Sequence, residues 1–270
     1  VSERSGSGKP AFTYDPSKPS IARVYDHWLG GKDNFAADRR FAADLADVLP
    51  DIYTIVRANR AFLGAAVRHL VRDHGITQFL DMGAGLPTAR NVHEVAQECD
   101  PAARVVYVDN DAEVTAHGRA LLADDARTGI VEADLRDPDA VLSDAATTAL
   151  LDPREPVAVM LVSILHFIGD EDRPHDLVAR YMGAVPSGSF LVLSTACANP
   201  VGDKIEDLYR DRIGSRGGGG AISRSMDEIL RFFDGLDLLP PGLTTVTRWR
   251  PGHRVEGQDV PFVAGVARKP

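Results

Sequence analysis

Apolar positions along this chain keep two different rhythms. Between about residues 17 and 75 they recur at helical spacing: Ile21, Val24, Tyr25 and Trp28 share one face, and Gly30-Gly31 ends that helix. Further helices are predicted from about Ala37 to Val48 and from about Ile52 to His74, the longer one aligning Ile55, Ala58, Phe62, Ala66 and Leu70. From Thr77 onward the pattern changes to short Val-, Leu- and Ile-rich runs separated by helix-length segments. Strands are predicted near 78–82, 104–109, 129–133, 157–162 and 189–195, and their lack of strict alternation suits a parallel sheet buried on both faces. Ser225-Met226-Asp227-Glu228 is a capping box opening a helix from Ile229 to Phe233. Two last strands, Thr244 to Trp249 and Val260 to Ala267, are expected to pair as an antiparallel hairpin at the sheet edge. Gly217-Gly218-Gly219-Gly220 suits a mobile loop over one sheet end. The chain thus divides into a flexible leader (1–16), a helical lid or cap (17–75) and a doubly wound, mostly parallel α/β domain (76–270).

The junction after the first strand carries the most chemistry. Phe79-Leu80-Asp81-Met82-Gly83-Ala84-Gly85-Leu86-Pro87-Thr88 is an apolar run ending in an acid and two close glycines, as needed where a buried strand turns sharply beneath a ligand. The next run, Arg104 to Asn110, ends in Asp109, placed to accept hydrogen bonds from both hydroxyls of a ribose. Read as a dinucleotide fingerprint, the turn puts Thr88 where a third small residue belongs, an imperfect match. Read as acid-x-G-x-G, it meets Pro87 where glycine is usual, and Pro87 is expected to open the helix Thr88 to Ala96. The lost amide would hurt a pyrophosphate, which favours helix N-termini, more than it would hurt S-adenosylmethionine, which has no phosphate. S-adenosylmethionine is therefore the favoured cofactor, with a nicotinamide dinucleotide as the alternative.

Composition narrows the partners. The 270 residues are 44% hydrophobic, enough for a full core, and carry a net charge of -9 with no Lys/Arg run, which argues against a nucleic-acid backbone as main partner. Cys99 and Cys197 form no metal-type pair, and no zinc or other metal cluster is indicated. The polar segment Val1 to Pro10 lacks the apolar core of a secretory signal, and no run reaches transmembrane length, so a cytoplasmic protein acting on a small molecule is expected. Oligomeric state is not legible.

Five parallel strands, a terminal antiparallel pair, an acid-G-x-G turn and an acid after the second strand resemble the seven-stranded, Rossmann-like methyltransferases that use S-adenosylmethionine. More narrowly, Pro19 to Phe35, Arg57-Ala58-Asn59-Arg60-Ala61-Phe62-Leu63, Asp81 to Thr88, Val106 to Asp111, Arg224 to Ile229 and Trp249-Arg250-Pro251 resemble a bacterial S-adenosyl methyltransferase family of largely unassigned substrate. Pro87 belongs to that family's pattern. The resemblance implies that Gly83 and Gly85 pass beneath the methionine part of the cofactor, that Asp81 lies near its ammonium, and that Asn110 touches adenine through its backbone. It also implies that Asp134 reads the adenine amino group while Leu135 offers an amide to the ring, and that Ser163 to Phe167 face the methyl, with His166 as a candidate proton acceptor. Tyr25, Gly30, Gly31, Lys32, Asp33 and Asn34 have the character of a closing segment. Of Arg57, Asn59 and Arg60, the two arginines share a helix face, and one, most simply Arg60, is placed to pair with the cofactor carboxylate, solvated helix charges being the alternative. The expected activity is methyl transfer to a small molecule; a non-catalytic binder of the same cofactor is the competing reading.

Overall fold

The structure is a computed structural model in which residues 15–87, 90–122, 125–213, 220–254 and 256–270 are described. Most of the leader, Thr88 and the stretch through Gly219 of the glycine run lie outside these residues. Three helices come first: α1 (Ile21–Trp28), α2 (Ala36–Val48) and α3 (Ile52–His74). Gly75 ends α3 in the left-handed conformation at φ 68°, which a residue without Cβ adopts without strain.

The α/β domain then alternates as the apolar runs require. Strands β1 (Gln78–Met82), β2 (Arg104–Asp109), β3 (Thr128–Glu132), β4 (Ala158–Val162) and β5 (Phe190–Ala196) are parallel, and α4 (Val92–Cys99), α5 (Ala112–Leu121), α6 (Pro138–Ser143), α7 (Ala145–Leu150), α8 (Pro174–Ala184) and α9 (Gly202–Ile213) lie among and after them. After α10 (Met226–Leu230) come β6 (Asp237–Leu238), β7 (Thr244–Thr245), β8 (Trp249–Arg250), β9 (His253–Arg254) and β10 (Phe262–Arg268). The sheet order is β3-β2-β1-β4-β5-β10-β6, with β7 also on β10, and β10 runs antiparallel to its neighbours. Successive residues feed opposite cores: Ala158, Met160 and Val162 pack with α3 and α4, while Val159 and Leu161 pack with α8 and the Phe232-Phe233 corner. A third cluster joins α1, α2 and α9. Among the described residues no helix is long and apolar enough to cross a membrane.

Two local expectations change. The run Thr244 to Trp249 is not one strand: only Thr244–Thr245 pairs with β10, because Trp249 turns away to bury itself edge-on against Phe62 of α3, ring centroids 4.8 Å apart. The helix after the glycine turn starts at Val92, not beside Pro87. Asn91 caps it in a box with Glu94, and Arg90 at φ 64° breaks any helical continuity with Pro87.

Candidate active site

The carboxyl ends of β1 to β4 open into a cavity of about 700 Å³, roofed by α1 and α3. Its floor is the turn after β1. Gly83 at φ 75° and Gly85 at φ 65° make the bend, and Gly83 and Ala84 donate their amides to Val108 O of β2. A side chain at Gly83 would come within 2.7 Å of Ile164, so the turn and the loop after β4 touch only because the Cβ is missing. Asp109 ties the turn to β2: its Oδ2 accepts from Gly85 N at 2.9 Å and its Oδ1 from Asp111 N at 2.9 Å. Burial raises its pKa, opposed by these amide hydrogen bonds.

Across β3 a second acid is held differently. Burial would raise the Asp134 carboxyl, but hydrogen bonds from Arg136 and Asn110 bring it below the ordinary carboxylate range. Arg136 donates to both Asp134 oxygens through Nε at 3.0 Å, and its Nη1 also reaches Asp172 at 3.2 Å. The Leu135 carbonyl accepts from Tyr181 Oη at 2.8 Å, which fixes the backbone where Asp134 and Leu135 enter the cavity.

At the β1 end, Asp81 is buried and its pKa is pushed up to about 7 by desolvation, relieved in part by Arg60 and aggravated by Asp109. Carboxyl and guanidinium together match the two ends of an amino-acid zwitterion. On the far side, a buried hydrogen-bond chain links three elements and the end of a fourth. Asn59 Nδ2 donates to Tyr25 Oη at 3.0 Å, Ser194 Oγ donates to Asn59 Oδ1 at 2.6 Å, and Ser163 N donates to Ser194 Oγ at 3.1 Å. Ser163 sits at φ 62°, a strained conformation for a residue with a Cβ, held by that bond and by Ser194 O at 2.9 Å. His166 follows in a buried 3-10 turn; desolvation first, then Arg224, pushes its ring pKa down to about 3.

Of the residues singled out in the sequence, Tyr25, Arg60, Asp81, Gly83, Gly85, Asp109, Asn110, Asp134, Leu135, Ser163 and His166 all line this one cavity. Pro87 and Asn34 do not. Pro87 lies past the turn, in the loop before α4. Asn34 is consumed locally, its Nδ2 donating to Asp26 Oδ2 and Gly31 O and its Oδ1 accepting from Arg39. Gly30 to Asp33 are likewise exposed and apart from the cavity, so α1 itself, not its terminal turn, forms the roof. Arg57 is exposed, whereas Asn59 between the arginines is buried. Sequence reasoning missed Arg23, buried with Asp38 and Glu113, and Ser194 on β5; an arginine inside the apolar run of α1 was the available signal.

A cavity edged by carboxylates at β2 and β3, a glycine turn with a left-handed bend and an Asp81/Arg60 pair suits an amino-acid-bearing nucleoside. A family model described as S-adenosyl methyltransferase matches residues 8–270. The crystal structure of a methyltransferase candidate from Thermobifida fusca YX is 40% identical, with TM-score 0.86 over 94% of this chain and 96% of that one. A DUF574 family protein from Streptomyces avermitilis is 37% identical, with TM-score 0.87 over 95% and 99%. At 12% identity and TM-score 0.51, the plantazolicin methyltransferase BpumL, solved with S-adenosylhomocysteine, shares the fold over 92% of this chain and 96% of its own. Among curated proteins, none matches the sequence. With the family model matching residues 8–270 and two crystal structures similar over nearly the whole chain, the protein belongs to the S-adenosyl methyltransferase family and takes S-adenosylmethionine as its cofactor.

Proposed function

We propose that the protein transfers a methyl group directly to a small-molecule acceptor held in the same cavity. The observation that carries this reading is the roof: α1 and α3 cover the strand ends, leaving about 700 Å³, a volume in the range of small-ligand sites. Bound cofactor supplies a methyl carbon activated by a sulfonium. An acceptor lone pair would form the new bond to that carbon as the carbon–sulfur bond broke, with the electron pair left on sulfur and the acceptor proton passing to water.

In this scheme the protein's contribution is alignment, which for a direct displacement supplies most of the acceleration. Asp109 and Asp134 hold the nucleoside end, Asp81 and Arg60 the amino-acid end, and the Ser163 backbone, pinned by Ser194, sets the wall beyond β4. The proton-accepting role expected for His166 is set aside in this scheme: a ring with a pKa near 3 stays neutral but is a weak base at pH 7.

The test is incubation of the full chain with methyl-tritiated cofactor and a bacterial metabolite extract, followed by size separation. Label is expected in the small-molecule fraction. Label confined to protein or nucleic acid would overturn the proposal, and so would tight S-adenosylhomocysteine binding with no label transferred, the behaviour of a non-catalytic binder.

A further inference from the structure

Beyond β4 the cavity changes character. In the sheet order the acid-bearing ends of β1, β2 and β3 lie to one side of β4, and β5 with β10 lie to the other. On that second side the wall is a succession of rings. Phe262 of β10 stands 5.6 Å from His166, His166 stands 4.2 Å from Phe167, and Phe167 stands 5.5 Å from Tyr209 of α9. Ile213, one turn further along α9, extends this surface into the cavity.

Among the described residues, Asp26 of the cavity lining and Arg224, whose charge bears on His166, are both turned to other partners. The Asp26 carboxylate accepts from Asp33 N at 3.0 Å and Asn34 Nδ2 at 2.9 Å. Arg224 gives its guanidinium to Leu165 O, Ile168 O and Asp170 Oδ1. Within the ring succession the polar atoms are the Tyr209 hydroxyl and the ring nitrogens of His166, which is buried and whose Nδ1 has no hydrogen-bond partner among the described residues. A charged acceptor placed here would lose hydration and, among the described residues, gain no counter-ion. An uncharged ring would instead meet ring faces and edges, the packing that aromatic surfaces favour.

Resting on the small-molecule transfer proposed above, we infer that the acceptor is an uncharged, ring-bearing hydroxyl compound whose ring packs against His166, Phe167 and Tyr209. A hydroxyl meets both demands, bringing a lone pair without a charge, whereas an aliphatic amine of ordinary basicity would arrive as an ammonium.

Binding tests this without turnover. Full-length protein saturated with S-adenosylhomocysteine is titrated by calorimetry with 2-naphthol, 2-naphthoate and 2-naphthylmethylammonium, three probes of one shape and different charge. The expected result is 2-naphthol binding at least tenfold more tightly than either ion. Ile213 is half-buried at the end of α9, and Ile213→Glu is expected to weaken 2-naphthol at least tenfold while leaving S-adenosylhomocysteine affinity within twofold. Equal or tighter binding of an ion, no 2-naphthol binding, or 2-naphthol binding indifferent to Ile213→Glu would overturn the inference. Small molecules that take up label while the ions win this comparison would overturn it alone, leaving the transfer reading intact.

Discussion

Arg23 Nη1 lies 2.6 Å from Glu113 Oε2, joining the first helix of the N-terminal block to the helix that follows β2. The same guanidinium gives Nε to Asp38 Oδ2 at 2.9 Å and Nη2 to Lys18 O at 2.6 Å, and all three charged side chains are buried. The roof is therefore fastened to the sheet domain at the helix that follows Asp109 and Asn110 of the cavity lining. Replacing such a triad wholesale need not destabilise, but removing one member strands the others in low dielectric.

Arg23→Ala is accordingly expected to lower unfolding free energy by about 3–5 kcal/mol. Denaturant titration measures this, and amide exchange should speed in α1 before it speeds in β1 to β5. A loss below about 1 kcal/mol with α1 exchange unchanged would show that apolar packing alone holds the roof.

The two Asp109 oxygens proposed to meet ribose hydroxyls already accept from Gly85 N and Asp111 N. Asp109→Asn is expected to weaken S-adenosylhomocysteine by about 2–4 kcal/mol, roughly 30- to 1,000-fold, and to lower the melting temperature of the ligand-free protein. Calorimetry and thermal unfolding check the two halves separately. Unchanged affinity would remove Asp109 from the ribose assignment.

Asn59 and Arg57 are two residues apart on α3 and should behave oppositely. Asn59→Ala leaves the Ser194 and Tyr25 hydroxyls without their partner in a buried setting, a loss of about 1–3 kcal/mol per orphaned group. Exposed Arg57→Ala should stay within about 0.5 kcal/mol. Similar denaturation midpoints for both variants would show that the Tyr25-Asn59-Ser194 chain contributes nothing net.

What was legible in the sequence is what local geometry forces. Gly83, Gly85 and Asp109 declare themselves because a sharp bend after a buried strand needs positive φ, and the carboxylate ending the neighbouring strand ties that bend through Gly85 N. The parallel strands were legible from their unbroken apolar runs. The roof was not, because its ties are non-local: Arg23 finds Asp38 15 positions away and Glu113 90 away, and Ser194 meets Asn59 across 135 residues. Asn34 misled for the converse reason. A polar residue after Gly30-Gly31 looks available for a ligand, yet the turn itself uses both ends of its amide. The Thr244 to Trp249 run misled because burial of one Trp against α3 outweighed strand alternation.

Neutral His166 predicts a modest kinetic effect. Under the alignment scheme His166→Asn should lower turnover less than tenfold, and turnover should show no titration between pH 6 and 8 assignable to this ring. A fall of about 10²–10⁴-fold, the range for loss of a general base, would restore the proton-accepting role.

The last prediction sets Asp81 against His166 in the pH dependence of stability. Burial raises Asp81 from 3.8 to about 7, so between those values the folded protein holds a proton that the unfolded chain has released, and stability falls as pH rises. Burial lowers His166 from 6.5 to about 3, so between those values the unfolded chain holds the extra proton, and stability rises with pH. From about pH 4 to 6.5 the two slopes oppose, each limited to about 1.4 kcal/mol per pH unit. Asp81→Asn should therefore unmask stability that increases with pH in this window, and His166→Asn stability that decreases, relative to wild type. Denaturant titrations of the ligand-free proteins at pH 4.5, 5.5 and 6.5 read both slopes. Bound cofactor adds a further sign: if its ammonium meets the Asp81 carboxylate, binding near pH 6.5 must expel that proton, and calorimetric enthalpies should vary with the buffer's ionisation enthalpy in wild type but not in Asp81→Asn. Parallel pH slopes in the two variants would mean that neither group is held in the unusual protonation state its burial dictates.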